Sequence, residues 1–170
     1  MTEQQPFEVE RSFDEFELRR YPDHVLVQVT VDGDFFRAGN LGFRPLIRYI
    51  SGRNAQATRI PMTAPVTQEP LGERTHTVSF VLPEGTDPST VPVPTDAAVT
   101  TTAVAAGHVA ARRFSGGWTD ARFEENGELL LAAVARAGLR PAGNLYFARY
   151  DPPWKPGFLK HNEALLRVEE

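Results

Sequence analysis

The chain has 170 residues, of which 41% are hydrophobic and 24% charged, and its net charge at pH 7 is −4. This composition is typical of a globular protein, and the acidic balance argues against nucleic acid as the main ligand, because a phosphate backbone requires a basic surface. The absence of cysteine excludes disulfides, zinc–thiolate sites and a cysteine nucleophile. No apolar run reaches membrane-spanning length and the N-terminus lacks a signal-peptide pattern, so we expect a cytoplasmic protein with no membrane partner.

The first half of the chain predicts two strands followed by a helix. His24 to Asp32 places valine at every second position, which indicates a half-buried strand, and Phe13 to Tyr21 predicts an earlier strand. From about Asp34 to Ser51 the apolar period becomes helical, with an Asp N-cap in the turn Asp32-Gly33-Asp34 and Gly52 as the stop. The expected buried stripe of this helix consists of Phe43, Leu46, Ile47 and Ile50.

The second half predicts a similar order of elements after a proline-rich connection. Thr75 to Leu82 alternates as a strand, and residues 83–96 carry four prolines among Gly, Ser and Thr. The later elements are expected to be strands at 98–105 and 108–114, a helix from the N-cap Thr119 to Gly138, and strands at 145–150 and 163–168. The expected apolar face of the second helix consists of Phe123, Gly127, Leu130, Leu131 and Val134.

Each half therefore predicts the order strand(s)–helix–strand–strand. We interpret the chain as one domain over residues 1–170, with pseudo-repeats at about 7–82 and 97–168 joined by the connection 83–96. The fold class is α+β: a distorted, mostly antiparallel β-barrel or twisted sheet with two flanking helices.

The strip from Arg59 to Val66 is unusual because Pro61 and Pro65 stand four residues apart. A proline has no N–H to donate, so the strip is expected at a sheet edge or a bulge. Such a rigid apolar segment beside the first helix can frame a groove lined by Tyr49, Ile60 and Met62. Met62 alternatively belongs to the core.

Several arginines surround this predicted groove. Arg44 and Arg48 lie four residues apart on the first helix, and Arg53 and Arg59 bracket the loop that follows it. They are either a solvated helix face or a cationic rim for an amphipathic ligand with carboxylates, which guanidinium groups bind in bidentate fashion.

No catalytic signature is visible, so we expect a protein without enzymatic activity. The sequence has no phosphate loop, nucleophile elbow or His-Glu-x-x-His motif, and no two of its four histidines have metal-ligand spacing. A single histidine can still bind an iron that is held by other contacts, and His24, at the start of a strand, is a candidate. Trp154, in a segment with prolines 152, 153 and 156, either pins the last strand or forms a wall of the same groove.

Ordered blocks of the sequence resemble the SOUL haem-binding protein family. The blocks are 16–21, 49–54, 60–66, 150–156 and Asn162-Glu163, and the similarity spans roughly residues 7 to 168. The resemblance implies a distorted barrel from a duplicated unit and noncovalent binding of b-type haem or free porphyrin beside the first helix. It places Asn54, Arg59 and Met62 in that region, while Arg44 and Arg48 come from helix geometry.

Two positions depart from the family pattern. Arg20 stands where some members carry a histidine thought to be an axial ligand, and Lys160-His161 replaces the usual two basic residues before Asn-Glu. The leading hypothesis is a haem or porphyrin carrier, buffer or sensor. The alternatives are an effector-binding domain for other flat, amphipathic molecules and, third, an enzyme acting on tetrapyrroles or related esters.

Overall fold

A computed structural model describes residues 2–152 and 154–169, which form two compact units. The elements in chain order are β1 (Glu3–Gln4), β2 (Glu8–Ser12), β3 (Glu17–Tyr21), β4 (His24–Asp32), α1 (Phe35–Ile50), β5 (Thr63–Ala64), β6 (Val66–Pro70), β7 (Thr75–Val81), β8 (Val99–Val104), β9 (Gly107–Phe114), α2 (Asp120–Arg136), β10 (Pro141–Arg149), a 3₁₀ turn (Gly157–Leu159) and β11 (Asn162–Val168). The fold is α+β and its strands are mostly antiparallel, as the sequence predicted.

The first unit contains residues up to 5 and 23–105. Its antiparallel strands have the order β6-β7-β4-β8, and β1 pairs with β5 in parallel. Val25, Val27 and Val29 of β4 are buried as the alternation predicted, and they pack with Leu46 and Tyr49 of α1. The sheet is open within this unit, so a closed barrel is not formed there.

Helix α1 begins as predicted, because the side chain of Asp34 accepts a hydrogen bond from the backbone N–H of Arg37 at 2.8 Å. Its buried face differs from the prediction: Phe43 is 40% exposed. The physical reason is Gly42, which lies so close to β7 that a Cβ placed there would be 2.7 Å from Val78. This close approach centres the buried face on Gly42 and Leu46 and leaves Phe43 at its margin, edge-on to Phe80.

The proline strip pairs more than the sequence suggested. Thr63–Ala64 forms the short β5, and the N–H of Gln5 donates to the carbonyl of Ala64 at 2.8 Å. The pairing uses the non-proline residues between Pro61 and Pro65 and is confined to a two-stranded sheet, consistent with the expected edge position. The sequence also missed β6, whose last residue is Pro70.

The second unit contains residues 6–22 and 106 onwards. Its strands have the order β2-β3-β9-β11-β10, are antiparallel, and form an open sheet within the unit. The predicted strand 13–21 is wrong in its first part, because Phe13 and Phe16 form a turn in which the N–H of Phe13 donates to the carbonyl of Phe16. The sequence also missed β2.

Helix α2 follows its predicted caps. The hydroxyl of Thr119 accepts from the N–H of Arg122, and Gly138 has a positive φ of 77°. Phe123, Gly127, Leu130 and Val134 are buried as predicted. Leu131 is 40% exposed, because it lies one residue beyond the line on which the buried positions recur.

Pro153 of the predicted tail segment lies outside the described residues. The strand before that segment is longer than predicted, since β10 begins at Pro141. Among the described residues, neither helix is long and apolar enough to cross a membrane. The interpretation as one domain with internal repeats stays a prediction.

Candidate functional site

The first unit has a cavity of about 200 Å³ beside α1. One side is formed by α1 and the loop that follows it, and the other by residues 94–96 and the start of β8. The lining includes Pro45, Arg48, Tyr49, Arg53, Asp96 and Val99. The cavity therefore combines an apolar floor with two guanidinium groups and one carboxylate.

Tyr49 is the buried part of this floor and is 2% exposed. Its hydroxyl donates a hydrogen bond to the backbone carbonyl of Pro92 at 2.5 Å. Burial raises the pKa of this hydroxyl, so it stays protonated and remains a donor. Tyr49 thereby ties α1 to the proline-rich segment that forms the opposite side of the cavity.

Asn54 holds the loop between α1 and the strip. Its amide nitrogen donates to the carbonyls of Tyr49 and Thr58 at 3.0 and 2.8 Å, and its amide oxygen accepts from the N–H of Thr58 at 3.0 Å. A backbone bridge also joins Asn54 to Pro94. Because its amide is used within the loop, Asn54 shapes the cavity wall.

The structure brings some of the other predicted residues to this cavity and leaves others apart. Arg48 lines the cavity, whereas Arg44 is exposed on the same helix outside the lining. Arg59 is exposed, and its stem lies over Gly52. Met62 is half-buried and packs against the core cluster of the first unit, which favours the alternative that it is part of the core.

The remaining two predicted residues lie elsewhere. Trp154 belongs to the second unit and is 83% exposed. His24 is half-buried at the start of β4, opposite Val104 of β8. Within residues 2–152 and 154–169, no group of three or more His, Asp or Glu residues is placed to hold a metal ion.

The second unit has a larger cavity, of about 420 Å³, that sequence reasoning missed. Its wall includes a buried ion pair in which Arg19 donates two hydrogen bonds to Glu163, at 2.7 and 2.6 Å. These side chains are 4% and 0% exposed. The carboxylate of Glu163 also accepts from Tyr150 at 3.1 Å and lies 2.9 Å from Nε2 of His161.

This network determines the charges at the cavity wall. Burial alone would raise the pKa of Glu163, but hydrogen bonds from Arg19 and His161 outweigh it and lower that pKa to about 2. Burial, together with the nearby charge of Glu163, raises the pKa of Tyr150. Glu163 is therefore a fixed anion, and Tyr150 is a fixed neutral donor.

A weak sequence signal for this network did exist. Glu163 stands directly before the apolar residues Ala164 to Leu166 near the start of β11, and a charged residue buried in a strand requires a partner. The partner, Arg19, is 144 residues away, so no local pattern identifies it.

Comparison with known proteins identifies the family of the chain from its sequence. The family model described as "SOUL heme-binding protein" matches residues 2–167. No curated protein matches the chain.

Several solved structures share the fold. The EcmrR C-terminal domain is 13% identical with a TM-score of 0.64, covering 92% of this chain and 98% of that one. EcmrR in its DNA complex is 12% identical with a TM-score of 0.67, covering 92% of this chain, which spans 57% of the EcmrR chain. A hydrolase from Listeria innocua is 11% identical with a TM-score of 0.56, covering 89% and 91% of the two chains. At these identities the similarity is one of fold, whereas the family match extends over nearly the whole sequence: the chain belongs to the SOUL haem-binding family.

Proposed function

We propose that this protein binds haem or a related porphyrin noncovalently at the cavity beside α1, as a carrier, buffer or sensor. The observation that carries the proposal is that Arg48 and Arg53 line one concave surface in a member of a haem-binding family. Haem and protoporphyrin IX carry carboxylates on one edge and are apolar elsewhere, and guanidinium groups bind carboxylates strongly.

The size of the cavity determines how much of the ligand it can enclose. Its volume of about 200 Å³ is below the roughly 300–1,000 Å³ of sites that enclose a drug-sized molecule. A porphyrin would therefore insert only one edge. The rest of the macrocycle would lie along α1. Leu41, one turn before Pro45, is 46% exposed there and offers an apolar surface, and Arg44 lies close to it on the same helix.

The arginines of the lining fit the carboxylates of a porphyrin, but its described residues include no histidine, cysteine or methionine for the iron. Tyrosine can bind haem iron, yet the Tyr49 hydroxyl is bound to Pro92 and stays protonated. We therefore expect the protein to recognise the macrocycle and its carboxylates, and the iron to contribute little to affinity.

Titration of the purified protein with hemin and with protoporphyrin IX, followed by absorbance, tests this function. We expect saturable binding of both with similar affinity. Arg48→Glu should weaken binding at least tenfold, because a hydrogen bond between charged groups contributes about 1.5–3 kcal/mol.

Arg74→Glu is the matched control, since it makes the same charge change at an exposed position outside the cavity. Equal losses in Arg48→Glu and Arg74→Glu would mean that binding follows net charge alone. Absence of saturable binding by the wild-type protein would refute the proposal.

A smaller amphipathic carboxylate is the second candidate ligand, and the cavity volume favours it. Such a molecule could enter completely, as expected of an effector-binding domain. A thermal-shift screen distinguishes the two ligands: stabilisation by a small aromatic acid, with none by protoporphyrin IX, would support the second candidate.

A further inference from the structure

The cavity of the second unit contains a histidine that the proposed function does not use. Nε2 of His161 lies 2.9 Å from Glu163, whose carboxylate is ionised and can only accept, so Nε2 carries the hydrogen and donates a hydrogen bond to it. Nδ1 is then the nitrogen left with a lone pair. No group within residues 2–152 and 154–169 is hydrogen-bonded to Nδ1 of His161.

The imidazole is also held in place. Its ring stacks on Tyr150 with a centroid separation of 4.2 Å and an interplanar angle of 9°. Its side chain is 24% exposed and lines the cavity of about 420 Å³. A carboxylate that fixes the tautomer and orientation of a histidine at the wall of a cavity is the arrangement that general-base catalysis requires.

The other lining groups restrict what could react there. Phe7, Phe13 and Phe16 supply aromatic walls, and the last two are stacked at 4.4 Å. The acidic side chains Asp14, Glu15 and Glu17 also line the cavity and disfavour anions. These walls suit a neutral substrate with an aromatic group.

We propose that the second unit contains a hydrolytic site for small, neutral aryl esters in which His161 is the general base and Glu163 is its positioning residue. Nδ1 of His161 accepts a proton from water while the water oxygen bonds to the ester carbonyl carbon. The bond from that carbon to the aryl oxygen then breaks, and the proton passes from the imidazolium to the departing phenoxide. The products are a carboxylic acid and a phenol, and no oxidant or further reactant is needed.

One cation of the lining can stabilise the negative charge that develops on the ester oxygen. The donors of Arg19 are engaged by Glu17, Tyr21 and Glu163. The side chain of Arg113 lines the same cavity and forms no hydrogen bond or ion pair within the described part of the chain. Arg113 therefore remains available to an anion that forms during the reaction.

Hydrolysis of 4-nitrophenyl butyrate by the purified protein tests the site. We expect saturable turnover, a lower rate in D₂O because a proton moves in the slow step, and a decrease of kcat/KM of at least about 100-fold in His161→Gln. His161→Ala should lose activity similarly and regain part of it when imidazole is added, which a loss of packing alone would not permit. An ester bearing a carboxylate on its aromatic ring should react more slowly than the neutral one.

The chain provides a matched control in His108. Its Nε2 lies 2.8 Å from Glu10, so it has the same carboxylate pairing, but it is not part of the cavity wall. His108→Gln should retain the wild-type rate. Equal rates in His161→Gln and wild type, equal losses in the two variants, no solvent isotope effect, or no turnover above the uncatalysed rate would each overturn the proposal. Porphyrin binding is measured separately, so failure here leaves the α1 cavity unaffected.

Discussion

The charged residues at the cavities of the two units differ in their exposure to solvent. In the first unit, Arg48 and Arg53 are exposed at the edge of a small cavity, and Asp96 is the carboxylate among the lining residues. In the second unit, Arg19 and Glu163 are almost completely buried and bind each other directly. An exposed cation keeps its hydration and can exchange water for a ligand, whereas a buried pair has already exchanged water for its partner.

Because of this difference, we expect the exposed arginines to affect ligand binding and the buried pair to affect stability. The open arginines beside α1 contribute little to folding but can attract a carboxylate. The closed pair of the second unit holds β3 to the other strands of its sheet and orients His161 towards a cavity. The contrast predicts that substitutions in the second unit change stability and those at the α1 rim change binding.

The largest effect is expected from Glu163→Gln. This substitution leaves the buried Arg19 guanidinium with Glu17 as its charged partner and Tyr21 as a neutral acceptor. Breaking a buried pair costs about 3–5 kcal/mol of unfolding free energy. Urea unfolding measures it. Glu15→Gln is the control, because the Glu15–Arg136 pair is exposed and such pairs contribute about 0–1 kcal/mol. Similar losses of unfolding free energy in the two variants would mean that the buried pair contributes no more to stability than the exposed pair.

Acid should reveal the same pair in the intact protein. The folded-state pKa of Glu163, about 2, lies below its ordinary value of 4.5, so the native state binds this proton more weakly than the unfolded state does. The resulting stability is fully present above pH 4.5 and is lost as pH falls towards 2, with a total on the order of 3 kcal/mol.

Unfolding measured between pH 6 and pH 2 checks this expectation. Glu163→Gln should lose less stability on acidification than the wild type, since the titrating carboxyl is gone. Identical acid slopes in the variant and the wild type would contradict the assignment of the effect to Glu163.

Local patterns in the sequence predicted the features that depend on neighbouring residues. The alternation in 24–32 gave the bounds of β4, and Asp34 and Thr119 marked the starts of both helices, because capping and strand faces are set within a few residues. The Arg19–Glu163 pair depends on two distant strands lying on either side of β9, which no local pattern encodes. The exposure of Phe43 depends in turn on how closely Gly42 approaches Val78.

Each helix packs a glycine against the sheet of its own unit, and the two glycines differ in how close they lie to that sheet. Replacing them by alanine is expected to change the unfolding free energy by an intermediate amount. A Cβ at Gly42 would lie 2.7 Å from Val78, whereas one at Gly127 would lie 3.1 Å from the ends of Leu145 and Phe147. Overpacking costs about 1–3 kcal/mol, and replacing a helical glycine by alanine gains about 1 kcal/mol. Gly42→Ala should therefore be destabilising and Gly127→Ala close to neutral in urea unfolding. The reverse order would show that α1 can move away from β7 more easily than α2 from its own sheet.

The smallest effect on stability is expected for Tyr49→Phe, and Tyr150→Phe is the variant with which it is compared. The Tyr49 hydroxyl donates to a neutral carbonyl, that of Pro92, while the Tyr150 hydroxyl donates to the ionised Glu163. A neutral hydrogen bond contributes about 0.5–1.5 kcal/mol and one to a charged group about 1.5–3 kcal/mol, so Tyr49→Phe should destabilise less than Tyr150→Phe. Unfolding of both variants in urea gives the comparison. If Tyr49→Phe destabilised the protein as much as Tyr150→Phe, the hydrogen bond to Pro92 would contribute more than a single neutral hydrogen bond does. The loss would then include other contacts between α1 and the proline-rich segment that depend on this bond, and the walls of the α1 cavity would be held by a cooperative set of contacts.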